Sequence, residues 1–514
     1  MQPLVIYNAR VITLDPQRPL AAGLVVDGER IQAVLAAGEV AGALAGAGEA
    51  IDAGGATLVP GFIDTHVHLA VTGLGMLAVD LDGVDAIAGL LERLQAGAAG
   101  QPAGALVAAM NFQPELNPEN RCPTPEELDA AAGGRPVYVM DRTGHQSVVN
   151  HAALAQLELA EGTPGVGRRP DGRFSGVLAD EANTQAFTRL WPQFAAQAGL
   201  ENAYRLAARQ AVQGGITTLH ALDDLDDVRL LLSLREQLPV RVVPYTQSKD
   251  VAAVQALGLR QIGGCGAVMV DGDFTPHTAA LLEPYTDRPE TCGKLYYRDE
   301  ELFDYVAAAH QAGLQVALHC VGSAAIEQLL NVYAEVLARW PRADHRHRIE
   351  HFELPAPGQA ERARRLGVYL GMQPAFNHYW PHHGEYPEVV GPERAGRVDP
   401  LASLLAQGLP VGLGSDSPVT PLRPLLWLHS AVNHSNPAER ISVQAALELA
   451  TRGSSALAFE EKDKGALAPG MLADFVFLDA DPYAVPPEQL GAIQVLRTYV
   501  GGRLVFDARD EAAA

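Results

Sequence analysis

Short apolar runs broken by glycine turns open the chain. The segments LVIYNARVITL, AAGLVVDGERIQAVL and TLVPGF alternate in the two-residue rhythm of strands. The same texture returns at the other end in LADFVFLDA and VLRTYVGGRLVF. Residues 1–58 and 465–514 are therefore predicted to form one small β-sandwich built from both termini. Between them, residues 59–464 alternate β-branched runs with alanine-rich helical patterns. Eight strands are read there: GFIDTHVH, GITTLHAL, VRVVPYT, AVMVDG, LQVALHC, HRIEH, VYLGMQP and LPVGLGSD. Helix-compatible segments such as YRLAARQAVQGG and ELFDYVAAAHQAG end in glycines that suit helix C-caps. This rhythm predicts an α/β chain organised as a (β/α)8 barrel, with polar residues gathered at strand C-termini where such barrels keep their chemistry. Residues 70–200, between the first two strands, are too long for a loop and carry their own runs, ALVAAMNF and PVYVMD. They are read as an inserted lobe that could cover the barrel mouth.

Composition narrows the class. Of 514 residues, 48% are apolar and 19% charged, as in a globular enzyme with a real core. A formal charge of −23 speaks against nucleic acid, whose phosphates need concentrated Lys and Arg. No apolar run reaches the roughly 20 residues that cross a bilayer. The segment MQPLVIYNARVITLD lacks the basic and apolar parts of an export signal. Four cysteines (Cys122, Cys265, Cys292, Cys320) without CxxC spacing fit a reducing, cytoplasmic setting.

The chemistry is concentrated at the ends of the strands. His66 and His68 stand two apart in GFIDTHVH, so their side chains project from one face, close enough to grip one cation. Three later segments end the same way: VALHC with His319, RIEH with His351, and VGLGSD with Asp416. The alternatives for individual residues are structural: buried histidines, a turn-capping Asp416, and, if one ion binds, supporting roles for His319 and His351.

With these motifs, the segments TPEELDAAAGGRPVYVMDRTGHQSVVNHAAL, GITTLHA, VDGDFTPHTAALLEPY, SDSPVTPL and GALAPGMLADFVFLD resemble the amidohydrolase superfamily over nearly the whole chain. Within it they resemble the branch of N-substituted formamide deformylase-like hydrolases, amidohydrolase family 3. The resemblance implies a distorted TIM-type barrel, a terminal β-sandwich, one or two divalent ions (zinc by preference) and hydrolysis of a non-peptide C–N bond. Carried over by position, His66, His68 and Asp416 bind one metal, and His319 and His351 a second. Asp416 acts as general base and acid, with His145 and His351 also in the catalytic set. Asp271, His277 and His145 contact a small-molecule substrate. Relatives are commonly dimeric, so a homodimer is an expectation. The same metal chemistry would serve an ester, lactone or cyclic-amide hydrolase; a non-catalytic binding protein is the alternative from another class.

The chain also departs from the family. Where many relatives carry a carboxylated lysine, four residues before Asp271-Gly272, this sequence has Ala267, so no carboxylated lysine is expected. Four neutral imidazoles and one carboxylate leave two divalent ions under-neutralised. His220, Asp223 or Asp224 at the end of the second strand are expected to help, and Cys265, on the face of Ala267, is a further substitute. Ser323 and His277 replace a family aspartate and arginine. His345 and His347 are read as facing solvent, and His378, His382 and His383 as a solvated aromatic loop after the seventh strand.

Overall fold

The computed structural model describes residues 3–114, 117–119, 121–381 and 386–511. The chain divides into two compact units, Met1–His68 with Ala208–Ala514, and Leu69–Ala207.

The larger unit contains eight parallel strands in two sheets. The first sheet holds β1 (Phe62–Val67), β2 (Ile216–Asp223) and β3 (Arg241–Thr246), in the order β3-β2-β1. The second runs in sequence from β4 (Gln261–Gly264) through β5 (Gln315–Cys320), β6 (Arg348–His351) and β7 (Tyr369–Met372) to β8 (Val411–Leu413). Every residue of β1, β2, β5 and β6 is buried, as expected of parallel strands covered on both faces. Helices Leu225–Leu234, Val251–Ala256, Asp299–Gln311, Ser323–Arg339, Gln359–Leu366 and Leu401–Ala406 alternate with these strands. In place of one continuously bonded ring there are two arcs. A single parallel bridge, Val67 to Ser417, joins the end of β1 to the turn after β8. Among the described residues no ladder joins β3 to β4.

The fourth strand is not where the apolar pattern put it. AVMVDG starts in a 3-10 turn, Gly266–Val268, whose Ala267 carbonyl accepts from Tyr297 Oη at 2.7 Å. Its valines 268 and 270 are buried as irregular core. The strand lies earlier, in Gln261-Ile262-Gly263-Gly264, paired in parallel with Gln315–Leu318. Glycine-rich segments score as turns, which is why it is hidden.

Both termini contribute to the sheet beside these strands. Thr57–Pro60 pairs in parallel with Arg10–Val11 and antiparallel with Phe475–Leu478, and Val495–Val500 and Arg503–Asp507 extend the sheet. A second sheet holds Leu4–Tyr7, Gly23–Asp27, Arg30–Leu35 and Glu49–Asp52. Ile6, Leu24, Leu58, Phe475 and Phe477 fill one core with Val11.

The smaller unit is a six-stranded sheet from Val79–Asp80 to Val166–Arg168, with helices Ile87–Ala98 and Asp180–Ala198. Tyr138, Leu178, Leu190 and Trp191 pack within it. Among the described residues of the whole chain, no helix is long and apolar enough to cross a membrane.

Candidate metal centre

Parallel strands bring their C-terminal ends to one side, and the sequence has placed a histidine or an acid at several of them. His66, near the end of β1, is fully buried. Its Nδ1 lies 2.8 Å from Glu350 Oε2, and Glu350 is paired in turn with Arg348 (Nε to Oε1, 2.7 Å). Arg348 and Glu350 stand two apart on β6, so they share a face and meet His66 inside the sheet. The carboxylate accepts a hydrogen bond from Nδ1–H, which leaves the Nε2 lone pair facing inward. His68 reaches the same state differently: its Nδ1 donates to the Leu222 carbonyl of β2 at 3.0 Å. On β5, His319 Nε2 donates to the Gly272 carbonyl at 3.2 Å, which leaves Nδ1 as the inward atom.

His351 and Asp416 adopt positive φ, 72° and 55°. Such backbone costs of order 1–3 kcal/mol for a non-glycine residue and persists where surrounding contacts hold it. Asp416 N–H donates to the His66 carbonyl at 2.7 Å. Asp64 fastens this turn to β1: its Oδ1 accepts from His66 N–H (3.1 Å) and Ser415 N–H (2.9 Å), and its Oδ2 from Ser415 Oγ (2.6 Å). The His351 ring stacks on Phe376 with centroids 5.9 Å apart.

The inward atoms converge. Asp416 Oδ1 lies 3.1 Å from His68 Nε2 and 3.3 Å from His66 Nε2. Cys265 Sγ lies 3.3 Å from His66 Nε2, 3.7 Å from His319 Nδ1 and 3.9 Å from His351 Nε2. Three overlapping donor groups result: His66, His68 and Cys265; Cys265, His319 and His351; and His66, His351 and Asp416, each with its atoms within 4.8 Å of one another. Ligand atoms about 2.1–2.3 Å from a tetrahedral ion stand about 3.4–3.8 Å apart. The spacing and the imidazole, thiol and carboxylate donors fit a zinc-type ion.

Electrostatics agree. Burial disfavours charge on His66, yet Cys265 and Asp416 outweigh it and hold its pKa well above the ordinary histidine value. His68, also opposed by burial, is raised to about 10 by the same two anions. His319 is raised to about 9 by Cys265 and Asp271 against burial. Burial would raise the Cys265 thiol, but His66, His319 and His351 pull it well below its usual range. His66 and His68 do the same for Asp416. The cluster demands positive charge at its centre, which protons or a metal can provide.

The other anticipated residues have these surroundings. Asp271 is fully buried, and its oxygens accept from the backbone N–H groups of Ala280, Val321 and Gly322 at 2.8–3.0 Å. That arrangement orders the strand ends beside His319, whose Nε2 lies 3.9 Å from Asp271 Oδ1. His277 Nε2 meets Asp287 Oδ2 at 2.8 Å, and its ring packs on Tyr285. Ser323 Oγ accepts from Leu282 N–H at 3.0 Å. His145 belongs to the smaller unit, in the turn between Val137–Asp141 and Gln146–Val149.

His220 corrects an expectation. It is buried against Arg348 (Nη1 to Nδ1, 3.2 Å) and Tyr245, and neither it nor Asp223 or Asp224 enters any of the three donor groups. His345 and His347 also differ: both are buried, not solvent-facing. His347 Nδ1 accepts from Val316 N–H at 3.0 Å, so its Nε2 donates to His310 Nδ1 at 2.8 Å. His378 sits on the short helix Phe376–Tyr379, 6.2 Å from the His429 ring; His382 and His383 fall outside the described residues. The groups that sequence reasoning passed over are Glu350, Arg348 and Asp64. Their signal was a charged residue at every second position of a buried strand.

The sequence profile of the amidohydrolase family matches residues 49–506. The putative amidohydrolase YtcJ of Bacillus subtilis is 28% identical, across 89% of this chain and 90% of its own. N-substituted formamide deformylase of Arthrobacter pascens is 26% identical across 99% of both chains. Among solved structures, an uncharacterised metal-dependent hydrolase from Pyrococcus furiosus shares 26% identity and a TM-score of 0.74, covering 94% of this chain and 100% of its own.

Proposed function

The chain belongs to the amidohydrolase family of metal-dependent hydrolases, and on that premise we propose that it cleaves a non-peptide amide or related C–N bond in a small organic molecule. The observation that carries this reading is the convergence of His66, His68, His319, His351 and Asp416 at the ends of β1, β5, β6 and β8. His66, His68 and Asp416 would hold one ion, and His319 and His351 a second. Zinc suits this donor set, and once bound it supplies Lewis acidity to water and to a carbonyl oxygen. Asp416 takes the proton of the attacking water on its carboxylate and passes it to the leaving nitrogen. Glu350 and the Leu222 carbonyl keep His66 and His68 in the tautomer that offers Nε2. His145, His277 and Asp271 enter as substrate-contacting groups on family resemblance. Four cysteines without CxxC spacing suit a reducing cytoplasm.

The test is turnover of a panel of N-substituted formamides, other small amides, esters and lactones, before and after chelation and zinc reloading. Amide turnover is expected to vanish on metal removal and return with zinc. Asp416→Asn should lower kcat by roughly 10²–10⁴-fold. Turnover that survives complete metal removal, or confined to esters and lactones, would overturn the reading.

A further inference from the structure

Cys265 is the one side chain common to the His66/His68 donor group and the His319/His351 donor group. We propose that its thiolate bridges two divalent ions, one held with His66, His68 and Asp416 and the other with His319 and His351. This deepens the metal-dependent reading above and rests on it.

Three observations carry the assignment. Cys265 Sγ stands between the two histidine pairs, 3.3 Å from His66 Nε2 on one side and 3.7 and 3.9 Å from His319 and His351 on the other. A non-bridging ligand would be expected to favour one pair.

The second concerns charge. Two divalent ions facing four neutral imidazoles and one carboxylate need another anion. The neighbouring acids are committed: Asp271 to backbone amides, Glu350 to Arg348 and His66, Asp64 to Ser415 and the His66 amide. Among the described residues, only the thiol remains as an added anion within the donor groups. On metal uptake the protons shared between the sulfur and its imidazoles leave to solvent and two metal–sulfur bonds form.

The third is the backbone before it. Gly263 and Gly264 run at φ 113° and 119°, a region L side chains avoid. A Cβ on Gly263 would meet the Ala317 carbonyl oxygen at 1.9 Å, and one on Gly264 would meet Leu222 Cδ2 at 2.9 Å. This tight glycine passage at the end of β4 lets the chain approach β5 and β2 closely and brings Cys265 to the centre.

Metal analysis and X-ray absorption on the zinc- and cobalt-loaded full chain test the proposal. Wild type is expected to bind two ions, each with one sulfur neighbour, and to show a sulfur-to-cobalt charge-transfer band. Cys265→Ser should lose the band and fall to one ion. Cys265→Asp should recover the second ion without the band, and Cys320→Ser should keep both. A two-ion wild type averaging one sulfur for every two ions, a single bound ion, or an unchanged band in Cys265→Ser would overturn the bridge. Should Cys265→Ser fail to fold, the sulfur count in wild type still decides. Failure of the bridge with metal-dependent amide turnover intact leaves the hydrolase reading standing; absence of any bound divalent ion removes both.

Discussion

Glu350 shows how much of the centre depends on residues that touch no substrate. Its carboxylate joins the Arg348 guanidinium to His66 Nδ1, and all three side chains are fully buried. Glu350→Gln keeps the shape but removes the charge that balances Arg348 and fixes the His66 tautomer. Breaking one half of a buried ion pair costs about 3–5 kcal/mol, and loss of a carboxylate behind a ligating histidine weakens metal binding about 10–100-fold. Denaturant unfolding of the apoprotein and competitive zinc titration measure the two effects separately. Unchanged affinity with lowered stability would limit Glu350 to a structural role. The sequence displayed this device only in outline: RIEH announced His351, but the pairing of Glu350 with a histidine 284 positions away has no local signature.

At the scale of elements, strands built from apolar branched residues were legible, since GFIDTHVH, GITTLHAL and LQVALHC can hardly be anything else. The strand built from glycine was not. Its function there is close approach to β5 at positive φ, which no hydrophobic period records. Gly263→Ala is therefore expected to destabilise the chain by at least about 2 kcal/mol and to reduce bound metal, measured by thermal unfolding and metal analysis. A variant with full metal content and unaltered stability would show that the glycine passage is not required.

The opposite ends of β5 and β6 carry a second element-scale device, the chain from the Val316 amide through His347 to His310. RADHRHRIEH has the texture of a solvated turn, which is why His345 and His347 are expected at the surface. Their ring nitrogens instead act as neutral donors and acceptors, and His345 completes the group through Leu366 O and His347 N–H. Burial holds His347 well below its ordinary value of 6.5, with the neighbouring cationic groups adding to the effect. The unfolded chain therefore binds a proton that the folded chain refuses. Stability from this site is complete above about pH 6.5 and is lost as the pH falls from there towards the depressed folded value, at up to about 1.4 kcal/mol per pH unit. Denaturant midpoints from pH 7.5 to 5 should show that slope, and His347→Asn should flatten it while lowering stability at pH 7.5. An identical slope in the variant would assign the acid sensitivity to other groups.

Across the larger unit, the metal centre is tied to the two chain termini. Thr57–Pro60 leads through Gly61 directly into β1, and its partner on one side is Phe475–Leu478, over 400 residues later. Gly61 N–H donates to the Asp474 carbonyl at 2.9 Å, and the Asp474 side chain holds Arg241 at the start of β3. The starting points of β1 and β3 are thus set by the C-terminal strands, although none of those strands supplies a donor atom. Phe475, fully buried in that shared core, is the place to test the coupling. Truncation of such a phenylalanine costs about 3–5 kcal/mol. If the terminal sheet and the strands bearing His66 and His68 unfold together, Phe475→Ala should shift zinc release and loss of tryptophan fluorescence to lower denaturant by the same amount. A shift in fluorescence with zinc release unmoved would mean that the centre holds its geometry without the sheet, and that the termini close the chain without positioning its chemistry.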